Sequence, residues 1–176
     1  MATLSTLLAP DLMTPGSTWQ LLSSINGFAR STGNSLTTQA CPGRRFQLLG
    51  RDRCRLQVQL LEDGYRCWVP IDELLGQAKQ CIPWRPPQLT ETEIQRRLPA
   101  VQSWSARAEQ QVNRYLWGGT TEPDMDCSGL MQMAFASQGI WIPRDAYQQE
   151  RHCQPVAVAP DAVGLLRPGD LIFFGS

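Results

Sequence analysis

Between Ile82 and Pro87 the chain reads IPWRPP, three prolines in six residues. No helix or sheet interior tolerates that density of fixed φ angles and missing N–H donors. The stretch is a stiff linker, so the residues before and after it must fold around separate cores. This divides the chain into a first unit at residues 15–82, a linker with a short helix at 83–98, and a second unit at 99–176. With 176 residues, 42% of them hydrophobic, each half has enough apolar material for a core.

The first unit carries the period of strands. In CRLQVQLL, residues 54 to 61, Leu56, Val58 and Leu60 alternate with Arg55, Gln57 and Gln59. EDG at 62 to 64 turns the chain, and YRCWVPI alternates again with Tyr65, Cys67, Val69 and Ile71 on one side, which predicts a β-hairpin. RRFQLLG, residues 44 to 50, adds a further strand. So short a unit cannot supply two full sheets, and a small barrel is expected. Beyond the linker, Thr90 and Glu93 form a capping-box pattern for a short helix ending near Pro99. Val101, Trp104, Ala108, Val112 and Tyr115 or Leu116 recur at three and four, predicting a longer helix from Pro99 to about Trp117, closed by Gly118 and Gly119. At the other end, LRPGDLIFFGS reads as a turn followed by a buried strand, Leu171 to Phe174. The class is α+β.

Several functions are excluded by composition. Sixteen basic and sixteen acidic side chains cancel, and Lys79 is the single lysine, so no nucleic-acid partner is expected. No apolar run reaches the roughly 18 residues of a membrane span, so no membrane partner is expected either. MATLSTLLAPDLMTPGS has no basic segment ahead of an apolar one, and a cytoplasmic location follows as the expectation. The six cysteines, at 41, 54, 67, 81, 127 and 153, are then read as thiols. They contain no C-x-x-C, and neither a zinc site nor any cofactor is predicted. Cys41, Cys54, Cys67 and Cys81 are assigned to the core; Cys153 has no assignment.

Cys127 differs from these. In YLWGGTTEPDMDCSGLM it follows a glycine-rich turn, with Asp126 as an N-cap and itself in the first turn of a helix running through Leu130, Met131, Ala134 and Phe135 to Gly139. Unpaired backbone N–H groups and the positive end of the helix dipole favour a thiolate there. The sequence thus places a nucleophile where its chemistry can be used. Asp145 is read as a second N-cap, Arg144 as a residue opening that helix, and His152 as solvent-facing near a helix end.

YLWGG, DCSGLM, IPRDAYQQ and LRPGDLIFF occur in the order and spacing of the NlpC/P60 family of bacterial cell-wall cysteine peptidases, which residues 99 to 176 resemble. The unit in front, through EDGYRCWV, resembles a bacterial SH3 (SH3b) module. The pair is similar to γ-D-glutamyl-L-diamino acid endopeptidases, which implies an SH3b-like β-barrel followed by a papain-like domain. The implied substrate is a peptidoglycan stem peptide, L-Ala-γ-D-Glu-diamino acid. By this resemblance Cys127 is the nucleophile and Tyr115 supports the cleft beside it. Tyr65, Glu73, Asp126, Ser128 and Asp145 face substrate, with Glu73, Asp126 and Tyr65 meeting the free amino group of L-Ala. The family's catalytic histidine opens the strand after GDLIFF and a third polar residue follows it, so both fall beyond Ser176. A truncated, inactive chain is the resulting expectation, with a cell-wall peptide-binding remnant or a related thiol amidase or acyltransferase as alternatives.

Overall fold

The computed structural model describes residues 6–156 and 162–174. Seven strands form one curled antiparallel sheet: β1 (Thr18–Leu21), β2 (Ile25–Phe28), β3 (Leu36–Ala40), β4 (Arg45–Asp52), β5 (Arg55–Leu60), β6 (Arg66–Pro70) and β7 (Ala78–Gln80), in the order β3-β2-β6-β5-β4-β1-β7. The expected hairpin is β5 and β6, paired Leu56 to Val69 and Val58 to Cys67. This register sends Leu56, Val58, Leu60 and Val69 into a core with Trp19, Phe46 and Leu74, from which water is almost wholly excluded. Each such side chain contributes about 1.5–3 kcal/mol by leaving water.

The first unit starts earlier than residue 15. The Leu8 N–H bonds the Ala78 carbonyl at 2.8 Å, the Gly76 N–H bonds Leu8 at 2.9 Å, and Leu8 is 2% exposed. The apolar patch near the N-terminus therefore completes the β core by covering β7.

Of the four cysteines assigned to that core, only Cys67 is buried; Cys41 and Cys81 are half-buried and Cys54 is exposed. Cys54 lies in the tight connection between β4 and β5, where Arg53 turns at a φ of 52° and the strand alternation no longer applies. Burial pushes the Cys67 thiol up to about 12. Cys67 is accordingly expected to resist alkylation at pH 8 until urea unfolds the chain. Native labelling as fast as that of Cys54, read by peptide mapping, would contradict its burial.

After α1 (Ile71–Leu74) and the linker, a single helix α2 (Glu91–Glu109) replaces the two helices expected around Pro99. Thr90 caps it reciprocally with Glu93 as predicted. Pro99 sits inside it on the exposed side, where the carbonyl left without its donor faces water. The helix stops at Glu109 rather than Trp117. Val112 is 97% exposed, and the Arg114 N–H turns instead to Asp124 Oδ1 at 2.8 Å. A small hairpin, β8 (Thr120–Thr121) with β9 (Asp124–Met125), leads into α3 (Cys127–Ala136), and α4 (Ala146–His152) follows. Leu98 and Val101 of α2 pack on Ala134, Phe135, Ile140 and Ile142 as a second core.

Residues 171–174 are the last correction. The turn at Pro168 and Gly169 is present, but Leu171 to Phe174 pair with no strand among the described residues, and Phe174 is 93% exposed. A strand exists only through its ladder, and the described part of the second unit offers that segment no partner.

Candidate active site

Cys127 is the first residue of α3 and is exposed, whereas the residues on either side of it are buried. Asp126 caps the helix with Oδ1 on the Gly129 N–H at 2.7 Å. The same carboxylate takes the Gly118 N–H on Oδ2 at 2.8 Å and the Ser128 hydroxyl on Oδ1 at 3.2 Å. Arg144 grips both oxygens, with Nη1 to Oδ1 at 3.0 Å and Nη2 to Oδ2 at 2.7 Å. Burial opposes ionisation of Asp126, but the Arg144 guanidinium and the backbone N–H groups of Gly129 and Gly118 outweigh it and hold the carboxyl below its ordinary range. A carboxylate so depressed stabilises the fold above its unfolded pKa, about 3.9, and that contribution is lost as pH falls through the folded value.

Glycines let these pieces approach. Gly118 has a φ of +80°, and a Cβ on it would lie 2.6 Å from the Leu36 carbonyl oxygen of β3. A Cβ on Gly129 would collide with the carbonyl oxygen of Gly119. Gly118 is thus pressed against β3, and Gly129 lets DCSG meet the backbone of YLWGG.

Tyr115 stands beside the nucleophile. Burial first, and then the charge and hydrogen bonding of Cys127, raise its phenol above the ordinary value. Ser128, expected at the substrate, is 8% exposed; its hydroxyl receives Arg144 Nη1 at 2.9 Å, and its carbonyl receives Gln149 Nε2 at 2.9 Å. Asp126 likewise directs its lone pairs to donors of the chain itself. The structure therefore gives both residues a local architectural role.

The first unit supplies the other wall. Tyr65 exchanges a hydrogen bond with Thr37 Oγ1 at 2.6 Å and donates to Asp145 Oδ1 at 3.3 Å, which brings two of the expected residues together across the units. Burial raises the Tyr65 phenol to about 12. Burial also raises Asp145 above the carboxylate range, against the pull of Arg144. Asp145 precedes α4 as expected but forms no side-chain cap. Glu73 accepts the Asn26 N–H on Oε2 at 3.0 Å, while Oε1 has no hydrogen bond among the described residues. Asn26 continues through Gln39, whose backbone and side chain make three hydrogen bonds with Thr120 in β8. His152 ends α4, exposed, with no hydrogen bond to Cys127 among the described residues.

Sequence reasoning missed the groups that join the units. Asp63 in the β5–β6 turn, its side chain wholly buried, accepts the Tyr65 N–H on Oδ1 at 3.0 Å. Its Oδ2 receives Gln132 Nε2, from the middle of α3, at 2.7 Å and lies 2.9 Å from Arg44 Nη2 in an ion pair. Arg44 also lies 4.7 Å over the Trp141 ring. Arg144, taken for a helix opener, is 1% exposed. The signal available for it was a charge directly after the apolar run IWIP.

Comparison with known proteins agrees with this arrangement. Residues 112–176 match the model of the NlpC/P60 family, and residues 28–74 match that of the bacterial dipeptidyl-peptidase Sh3 domain. The second unit is thus similar to an NlpC/P60 domain over residues 112–176, and the first unit is similar to a bacterial SH3 domain over residues 28–74. Among curated relatives, a γ-D-glutamyl-L-lysine dipeptidyl-peptidase of Bacillus cereus is 45% identical over 60 residues, 34% of this chain and 16% of that protein. The bifunctional muramidase/DL-endopeptidase CwlT of Bacillus subtilis is 40% identical over 62 residues, 35% of this chain and 17% of that one. The matches thus span under a fifth of either relative. A solved structure, NlpC2 from Trichomonas vaginalis, aligns over 89% of this chain and 78% of its own at 14% identity, with a TM-score of 0.42.

Proposed function

We propose that the protein is a cysteine peptidase of peptidoglycan stem peptides, hydrolysing the bond between γ-D-Glu and the diamino acid in peptides whose L-Ala carries a free amino group. The observation that carries this reading is the exposed Cys127 at the first position of α3, with Tyr115 beside it and the SH3 domain as the opposite wall. The Cys127 sulfur attacks the scissile carbonyl, and the Cys127 N–H is the donor offered to the oxyanion. The amine then departs with a proton from a general acid. His152, exposed at the end of α4, does not stand in that role.

The free amino group supplies specificity. A cation in a partly closed cleft requires carboxylates, and Glu73 Oε1, on the SH3 side, has no partner of its own among the described residues. Asp126, neutralised by Arg144, offers no free carboxylate to that amine, and Tyr65 adds a hydrogen bond. A peptide with free L-Ala is a released fragment rather than intact wall, so this recognition fits peptide recycling in the cytoplasm. Free tripeptide is expected to be favoured over N-acetylated tripeptide by at least about tenfold, and Glu73→Gln to reduce that ratio. The measurement is kcat/KM, or Kd by calorimetry on the Cys127→Ala chain. Equal values for the two peptides would remove the recognition model and the recycling role together. The placement of His152 favours one alternative, a peptide-binding module without turnover; turnover abolished by Cys127→Ala eliminates it.

A further inference from the structure

We infer that Arg144 is the positioning residue of the nucleophile: it sets where Cys127 stands by tying the start of α3 to the glycine turn in front of it. The inference rests on the reading of Cys127 as nucleophile. The Arg144 fork reaches Asp126 through both nitrogens, Ser128 Oγ through Nη1, and the Gly119 carbonyl through Nη2 at 3.4 Å. Asp126 and Ser128 are the two neighbours of Cys127, so one side chain clamps both sides of the nucleophile. The Gly119 carbonyl also accepts the Asp126 N–H at 3.3 Å, and the Gly118 N–H returns to Asp126. Turn and helix are thereby cross-linked around one guanidinium.

The role is geometric rather than coulombic. Arg144 and Asp126 neutralise each other at 2.7 Å, so the pair presents little net field at the sulfur. Lysine cannot replace it, because one ammonium cannot span two carboxylate oxygens, a hydroxyl and a carbonyl. Arg144 Nε is buried without a partner, so the side chain is held by its fork alone.

Cys54, exposed and outside any helix, provides an internal reference thiol. The ratio of Cys127 to Cys54 alkylation by iodoacetamide, followed against pH with peptide mapping, is the readout. Arg144→Met leaves Asp126 buried and unpaired and is expected to lower thermal stability. The double variant Asp126→Asn with Arg144→Met removes both charges while keeping an N-cap acceptor, and is expected to recover folding. In that folded double variant the ratio is expected to fall by roughly an order of magnitude. Arg144→Lys is expected to lie between.

A wild-type ratio retained in the double variant overturns the inference, because the helix end alone would then suffice. A ratio near one in the unaltered chain overturns it as well, and only that result also removes the reading of Cys127 as nucleophile.

Discussion

Gly129→Ala is expected to lower the thermal midpoint by about 6–20 °C, from a loss of about 3–5 kcal/mol in a chain of this length. The added methyl would meet the Gly119 carbonyl oxygen, and it would also lie 3.0 Å from Asp126 Oδ1 and 3.1 Å from Thr120 Cγ2. None of these can yield cheaply. The Gly119 carbonyl holds the Asp126 N–H and Arg144, and the Asp126 carboxylate is the cap of α3. The helix must therefore separate from the turn, which weakens a buried ion pair as well as the packing. The Cys127 to Cys54 labelling ratio is expected to fall along with stability. Gly164→Ala is the control, since a Cβ there meets nothing within 4 Å and the backbone is not left-handed. A Gly129→Ala midpoint within 2 °C of the control would show that the approach of turn and helix is not required.

The elements that sequence predicted well depend on neighbours along the chain. The β5–β6 hairpin follows from alternation on each side of EDG, and the Thr90 and Asp126 caps need only residues three positions away. The failures depend on partners far along the chain. Val112, Tyr115 and Leu116 carry helical spacing, yet Asp124 and Met125 of β9 bind the backbone of that segment and draw it into a loop lining the cleft. Leu8 looked like part of a tail because nothing local showed that Ala78 would pair with it.

The candidate site divides in the same way. Cys127 and its cap were legible because a nucleophile at a helix start is a local pattern. Arg144 was misjudged because the short spacing of a motif identifies its members but not which of them point inward. Arg144 occupies the buried centre. Ser128 serves it, and solvent is left to Cys127 alone among the three residues Asp126, Cys127 and Ser128. The residues that join the units are the least legible of all. Asp63, Arg44 and Gln132 are polar and look like surface when each is viewed in its own strand, turn or helix. Their burial results from docking one unit on the other.

Asp63→Asn tests that docking, with an expected loss of about 3–5 kcal/mol. The wild-type carboxylate accepts two hydrogen bonds, from the Tyr65 N–H and Gln132 Nε2, and forms an ion pair with Arg44 Nη2. An asparagine that keeps its oxygen on the Tyr65 N–H turns an NH2 toward two further donors, one of them a buried cation. Arg44 would retain only Glu62, whose Oε2 lies 3.4 Å from Nε and whose carboxyl burial already raises above the ordinary range. Gln132→Met is the milder counterpart: it removes the hydrogen bonds of Nε2 to Asp63 and to the Ile142 carbonyl and is expected to cost about 1.5–3 kcal/mol. Because Asp63 holds the Tyr65 backbone to α3, loosening it moves the SH3 wall relative to Cys127. Either variant, on the Cys127→Ala background, is therefore expected to narrow the gap in Kd between free and N-acetylated tripeptide. With Cys127 in place, its labelling relative to Cys54 is expected to stay unchanged, since the Arg144 clamp does not pass through Asp63 or Gln132. A loss of stability under about 1 kcal/mol for Asp63→Asn, or a fall in Cys127 labelling in a folded Gln132→Met chain, would show that wall and nucleophile are not held by separate sets of contacts.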